Sequence, residues 1–221
     1  MTNADSVKND IARLSAEKES RIIIPFRMSE LQGSRYGKND LIENRMEEHV
    51  YCRDLFSISS ALQTDRYFFG RTADIQYLVS KYSGNENATI FGLRRIGKTS
   101  ILWAVFRELK ASGSPVLLLD CSDPHYHMAR WNQALFRIKD ALFKSNKLNT
   151  QGHSNHDYDE QNASRCFAED LKLIKKNFQK PALIIFDEIE SLCFELSPSN
   201  HWAVGDDFLF FWQTIRAAYQ Q

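Results

Sequence analysis

Two uninterrupted apolar runs constrain the fold most: VLLLD at 116–120 and ALIIFD at 182–187. A strand with one wet face alternates apolar and polar side chains. A strand apolar at every position is covered on both faces, which is the habit of parallel sheets. ATIFG at 88–92 reads as a third short strand. Between these runs the period changes to that of helices. Thr72 reads as the cap of a helix with Ile75, Leu78, Val79 and Tyr82 on one face. SGNEN at 83–87 reads as a turn. Ile101, Leu102, Val105 and Leu109 stripe residues 98–111, and Ser112–Pro115 breaks that helix. Met128, Trp131, Leu135, Ile138 and Leu142 stripe residues 127–144. Phe167, Leu171, Ile174 and Phe178 make a further helix, and Phe208, Phe211, Trp212, Ile215 and Tyr219 a last one. Residues 145–160, rich in His, Asn and Asp, read as a surface insertion. Strands alternating with helices predict an α/β fold with a parallel sheet.

Residues 1–64 differ in character and read as a mostly helical appendage or linker. Val7, Ile11 and Leu14 form a weak stripe. RIIIPF at 21–26 suggests a short edge strand, and 28–40 a loop. Ile42, Met46, Val50, Leu55, Ile58 and Leu62 recur at helical spacing.

The charge balance narrows the partners. Lys plus Arg and Asp plus Glu number 28 each, so the chain lacks the basic excess of a dedicated nucleic-acid binder. No apolar run reaches the roughly 20 residues that span a bilayer, and the polar N-terminus lacks the apolar core of a signal peptide. Cys52, Cys121, Cys166 and Cys193 are far apart without a CxxC pair, which favours reduced thiols in a cytoplasmic protein.

The chemistry concentrates in two places. Gly92-Leu93-Arg94-Arg95-Ile96-Gly97-Lys98-Thr99 fits G-x-x-x-x-G-K-[ST] between a predicted strand and a predicted helix. Glycines there let the backbone bend around a phosphate, and the following helix adds the positive end of its dipole. Lys98 would reach the β- and γ-phosphates, and Thr99 would offer its hydroxyl to Mg²⁺. Asp187 and Glu188 close the strand ALIIFD, at the end where an open α/β sheet places its site. Asp187 fits a Mg²⁺ role through water, and Glu188 the orientation of an attacking water.

FFGR (68–71), GLRRIGKTS (92–100) and LIIFDEIE (183–190) together resemble the STAND and archaeal-type ATPases of the AAA+ superclass of P-loop NTPases. The resemblance covers about residues 65–221. It implies a three-layer P-loop sandwich whose parallel sheet has the order 5-1-4-3-2. It implies ATP and Mg²⁺ as ligands, held by residues 92–99 with Ser100, and it places Phe69, Gly70 and Arg71 near the adenine. A packed strand–helix corner is the plainer reading of those three. Strands 4 and 5, the sensor, the arginine finger and the helical lid find no counterpart before Gln221, so the resemblance reads 65–221 as a partial ATPase domain of a longer protein.

The function read from this is Mg-dependent ATP hydrolysis in a switch or assembly ATPase of a prokaryotic cytoplasm. Turnover is expected for the complete protein and weak or absent in this chain. A nucleotide-binding module without efficient hydrolysis is the second reading, and a DNA-associated AAA+ ATPase the third. A protein partner or self-association is expected, with no membrane. His125 with His127, and His153 with His156, have metal-like spacing but read better as solvated loop residues. Trp202 and Trp212 read as packing residues, and Asp120 as part of a turn.

Overall fold

The computed structural model describes Ile24, Phe26 and residues 38–47, 61–63, 68–148 and 152–220. The stripe of Val7, Ile11 and Leu14, most of RIIIPF, and Cys52, Val50, Leu55 and Ile58 lie outside these residues. The chain divides into two compact units. One comprises residues 1–70 with 94–100, and the other 71–93 with 101–221.

The smaller unit contains helix α1 (Lys38–Met46) and the first residues of helix α3 (Lys98–Ala111). Ser100 is 8% exposed, and its Oγ accepts the amide of Leu62 at 2.9 Å.

The larger unit is α/β. Its sheet has two parallel strands, β1 (Val116–Asp120) and β2 (Leu183–Asp187), paired from Val116↔Leu183 to Asp120↔Asp187. In that register Leu117, Leu119, Ile184 and Phe186 share a face; the first two belong to the main core cluster and the other two pack against it. Val116, Leu118 and Ile185 share the other. Both faces are apolar, as the continuous runs require.

Helices α2 (Thr72–Ser83), α4 (Pro124–His127), α5 (Trp131–Ser145), α6 (Ala163–Phe178), α7 (Asn200–Ala203) and α8 (Asp207–Tyr219) complete the unit. Helix α5 buries Trp131, Ala134, Leu135, Ile138 and Leu142, one face at helical spacing. Helix α6 buries Cys166, Phe167, Asp170 and Ile174, and α8 buries Asp207, Phe211 and Thr214. Asp207, nearly inaccessible, accepts from Arg130 Nε at 2.8 Å and from the Trp131 amide at 3.1 Å, pinning the starts of α5 and α8 together. Trp202 is fully buried and donates from Nε1 to Ala129 O, so it packs rather than offering a stacking platform. Trp212 packs against Phe186 and Phe211.

Four local expectations are corrected. Residues 86–93 form no strand, and Phe91 is 90% exposed. A short apolar segment becomes a strand only when a neighbour takes its ladder groups, and no described strand lies beside this one. The helix expected over 127–144 is two helices, with Met128 between them and 69% exposed. Pro124 opens α4 beneath an Asp123 cap, whose carboxylate accepts the His125 amide at 2.8 Å. Thr72 is the first residue of α2 rather than its cap; Arg71 caps it in a left-handed conformation. The segment 152–158 is only partly a surface insertion, because Tyr158 is fully buried and His153 is tied down at both ring nitrogens.

Cys121, Cys166 and Cys193 are free thiols. Among the described residues no helix is long and apolar enough to cross a membrane.

Candidate functional site

The phosphate-loop motif runs into α3 through an exposed turn. Arg95 has φ 63° and Gly97 φ 92°, while Arg94 and Ile96 keep negative φ and Lys98 begins the helix. Backbone alternating in this way turns successive amides toward one side, a nest suited to an anion. Arg95 holds a left-handed conformation that costs a residue with a Cβ about 1–2 kcal/mol. A Cβ at Gly97 would meet nothing within 4 Å, so glycine is required there by its φ and the space beside it is open. The first turn of α3 carries no acidic side chain to neutralise its amides or its dipole. Leu93, like Phe91, is largely exposed, and Ile96 and the Arg94 and Arg95 side chains also face outward. Lys98 and Thr99 are half-buried. The hydroxyl of Ser100 is taken by the Leu62 amide, so it is engaged with the backbone.

The acidic half of the motif set lies at the carboxyl end of the sheet. Asp187 ends β2 in register with Asp120 at the end of β1. Neighbouring strands are about 4.8 Å apart, so the two carboxylates share one edge of the larger unit. Asp120 accepts the amide and hydroxyl of Ser122 at 2.9 and 2.6 Å, the turn that its sequence suggested. Glu188 follows with φ 49° and ψ 45°, and opens the 3₁₀ turn Ile189–Leu192. Its carboxyl is pushed above the ordinary range, first by a side-chain hydrogen bond with Glu190, then by burial and the charges of Glu190, Asp187 and Asp120. The sequence reading passed over Glu190, although its place two residues after Glu188 in a tight turn was visible in DEIE. Cys121 sits behind this edge, its thiol pushed up to about 12 by burial and then by Asp120 and Asp187. That thiol is inert at neutral pH.

A hydrogen bond between two carboxyl groups needs one proton between them. Its expected signature is a Glu188 titration that moves down toward the ordinary range in Glu190→Gln, read by carbon NMR of the glutamate carboxyls. The sign for stability follows. The folded chain holds a proton that the unfolded chain releases, so this contribution is present on the acid side and fades as pH rises through the folded pKa of Glu188. A Glu188 titration unmoved by Glu190→Gln excludes the shared proton.

Phe69 is exposed, Gly70 has φ 73°, and Arg71 has φ 57° with its guanidinium 3.2 Å from Asp74. Seven described non-glycine residues have positive φ, and Arg71, Arg95 and Glu188 are three of them. The other four, Asn85, Lys147, Gln179 and Glu195, lie outside the motifs. Phe69, Gly70 and Arg94–Ser100 lie in the smaller unit; Arg71, Gly92, Leu93, Asp187 and Glu188 lie in the larger.

Among the described residues no group of three or more His, Cys, Asp or Glu is arranged to hold a metal ion. His127 Nδ1 lies 3.1 Å from Ser199 Oγ. Comparison with protein-family models, with curated proteins and with solved structures found no match for this chain.

Proposed function

We propose that the chain binds ATP through residues 92–99 and belongs to an Mg-dependent P-loop ATPase of the STAND and AAA+ kind. The observation that carries this reading is the alternating φ of Arg94–Gly97 running directly into an α3 N-terminus that starts with Lys98 and Thr99. A turn with alternating φ, a helix N-terminus with no acidic residue in its own first turn, and the lysine of the motif together favour a polyphosphate over a neutral ligand. The space beside Gly97 is open. A parallel strand pair ending in Asp187 and Glu188 supports the same reading, because open α/β sheets place ligands at that end.

The strand order 5-1-4-3-2 also accounts for residues 88–92. In that order the first strand's neighbours are strands 4 and 5. Neither is among the described residues, so in that order residues 88–92 would find no partner strand among them. Strands 2 and 3 are adjacent and parallel in it, as β1 and β2 are.

Each residue has a distinct task in this reading. Lys98 binds and orients the β- and γ-phosphates. Thr99 and Asp187 are the residues that the motifs assign to Mg²⁺, which would neutralise charge on the phosphate oxygens. Glu188 accepts a proton from the attacking water, and its raised proton affinity makes it a stronger base than an ordinary carboxylate.

Lys98→Ala tests the binding claim. The variant loses a charged contact worth about 1.5–3 kcal/mol, so ATP affinity falls about tenfold or more while the far-ultraviolet circular dichroism is unchanged. Equal ATP affinity of variant and wild type by calorimetry removes residues 92–99 from the site.

A further inference from the structure

Helices α3 and α6 lead directly into the starts of β1 and β2, and hydrogen bonds bring the other helix ends to the same edge of the larger unit. Tyr82, in the last turn of α2, donates from its hydroxyl to Pro181 O at 2.8 Å, just before β2. Lys110, at the end of α3, donates to Ser145 O and Asn146 Oδ1, at the end of α5, at 2.6 and 2.9 Å. Tyr219, at the end of α8, donates to Asn85 O, just past α2, at 2.7 Å. Each of these helices carries a cation in its last turn: Lys81, Lys110, Lys144, Lys175 with Lys176, and Arg216. Lys147 and Lys180 follow α5 and α6 at the same edge, Lys180 donating to Ser112 O at 3.0 Å.

Little cancels this charge. Glu86 and Asp140 are taken by Lys81 and Lys144 at 2.5 and 2.7 Å, and Glu108 is the acidic residue within these last turns. Lys147, Lys175, Lys176 and Arg216 are exposed and make no ion pair among the described residues. A cation at a helix carboxyl end complements the dipole, which accounts for one per helix. It does not account for Lys147, which lies beyond α5 and repels its neighbour: the ammonium of Lys110 is lowered by burial and then by the charge of Lys147. The opposite edge of the sheet carries Asp120, Asp187, Glu188 and Glu190. The larger unit is therefore polarised along its strands, although the chain as a whole has 28 charges of each sign.

We propose that the edge where β1 and β2 begin docks the phosphate backbone of a nucleic-acid duplex. Charge complementarity selects a polyanion. Among the described residues, Tyr219 alone of the exposed large apolar side chains lies in these last turns. Stable attachment to a bilayer surface needs an apolar anchor beside the cations, and a protein interface needs an apolar centre. A phosphate backbone needs neither. Nearly all the cations are lysines, point charges that suit phosphates better than base edges, so the contact is indifferent to sequence. The edge is separate from residues 92–99 and stands whether or not those residues bind ATP.

The test is fluorescence anisotropy of a labelled DNA duplex of about 20 base pairs, two helical turns, titrated with the full chain over a salt series. Binding is expected at about 50 mM salt, with log affinity falling linearly with log salt concentration and the same affinity for two unrelated sequences. Each phosphate contact contributes about 0.9 to the slope, so Lys176→Gln lowers it by about 1 and the triple variant K147Q/K175Q/K176Q by about 3. All three side chains are on the surface, and unchanged far-ultraviolet circular dichroism checks the fold. Arg165→Gln makes the same charge change at the opposite end of α6 and leaves the slope as it is, as does Lys98→Ala in the phosphate loop. Absence of salt-dependent binding, a slope that the triple variant does not move, a strong preference between the two sequences, or equal losses in Lys176→Gln and Arg165→Gln overturns the proposal. So does loss of DNA binding in Lys98→Ala, which would transfer it to the phosphate loop. Tighter binding to phosphatidylserine vesicles than to DNA overturns it as well, in favour of a membrane surface.

Discussion

Phe211→Ala should remove about 3–5 kcal/mol of stability from the larger unit, the cost of emptying a buried aromatic site. Phe211 is fully buried on α8 and meets Phe186 of β2, Trp202 and Trp212 edge-on at centroid distances of 6.3, 5.2 and 5.0 Å. Its ring therefore joins the sheet, α7 and α8, and deleting it removes one ring contact from each of three aromatic neighbours. The control is the next residue back. Phe210 is 44% exposed and its ring lies 5.6 Å from that of Trp131, so Phe210→Ala should cost about 1 kcal/mol. Urea unfolding followed by tryptophan fluorescence measures both. Equal midpoints for the two variants contradict the packing described for α8.

The parts of the fold that were legible share a physical cause. VLLLD and LIIFD announce strands because continuous burial leaves no room for a polar residue, and each helical stripe announces the face that the core requires. Residues 88–92 failed for the opposite reason. Strand character is supplied by the neighbour as much as by the segment, and a single sequence does not say whether the neighbour is present. Arg71 as the α2 cap was invisible because arginine is not a preferred cap residue and its side chain makes no capping hydrogen bond. Tyr158 and His153 were misread because their neighbours are polar. What buries them is Asp170, on the inner face of α6, whose carboxylate could have been flagged as an acidic residue on an apolar stripe. The motif residues were fully legible as a pattern. Their backbone strain was not, since positive φ at Arg95 and Glu188 is unfavourable for those residue types and no local rule predicts it.

That strain at Glu188 frames the second large effect. A glutamate held at φ 49° at the end of a buried strand is fixed in direction, and Glu190 and Asp187 raise its affinity for a proton. A base must be placed first and tuned second, and both conditions are met by this residue on the proposed reading. Glu188→Gln keeps the size and the hydrogen-bonding capacity of the side chain and removes its ability to take a proton. Mg·ATP affinity should therefore stay within about twofold of wild type, because no phosphate or metal contact is assigned to Glu188. Single-turnover hydrolysis should fall by roughly 10²-fold or more, the scale of lost general-base catalysis. Asp187→Asn should behave differently, since its loss falls on metal binding: affinity for ATP should become less dependent on Mg²⁺ concentration. Equal single-turnover rates in wild type and Glu188→Gln take the water-orienting role away from Glu188. Intact ATP binding with no turnover in the wild-type chain assigns these 221 residues to nucleotide binding alone. The two variants together separate the carboxylate that serves the metal from the one that serves the water.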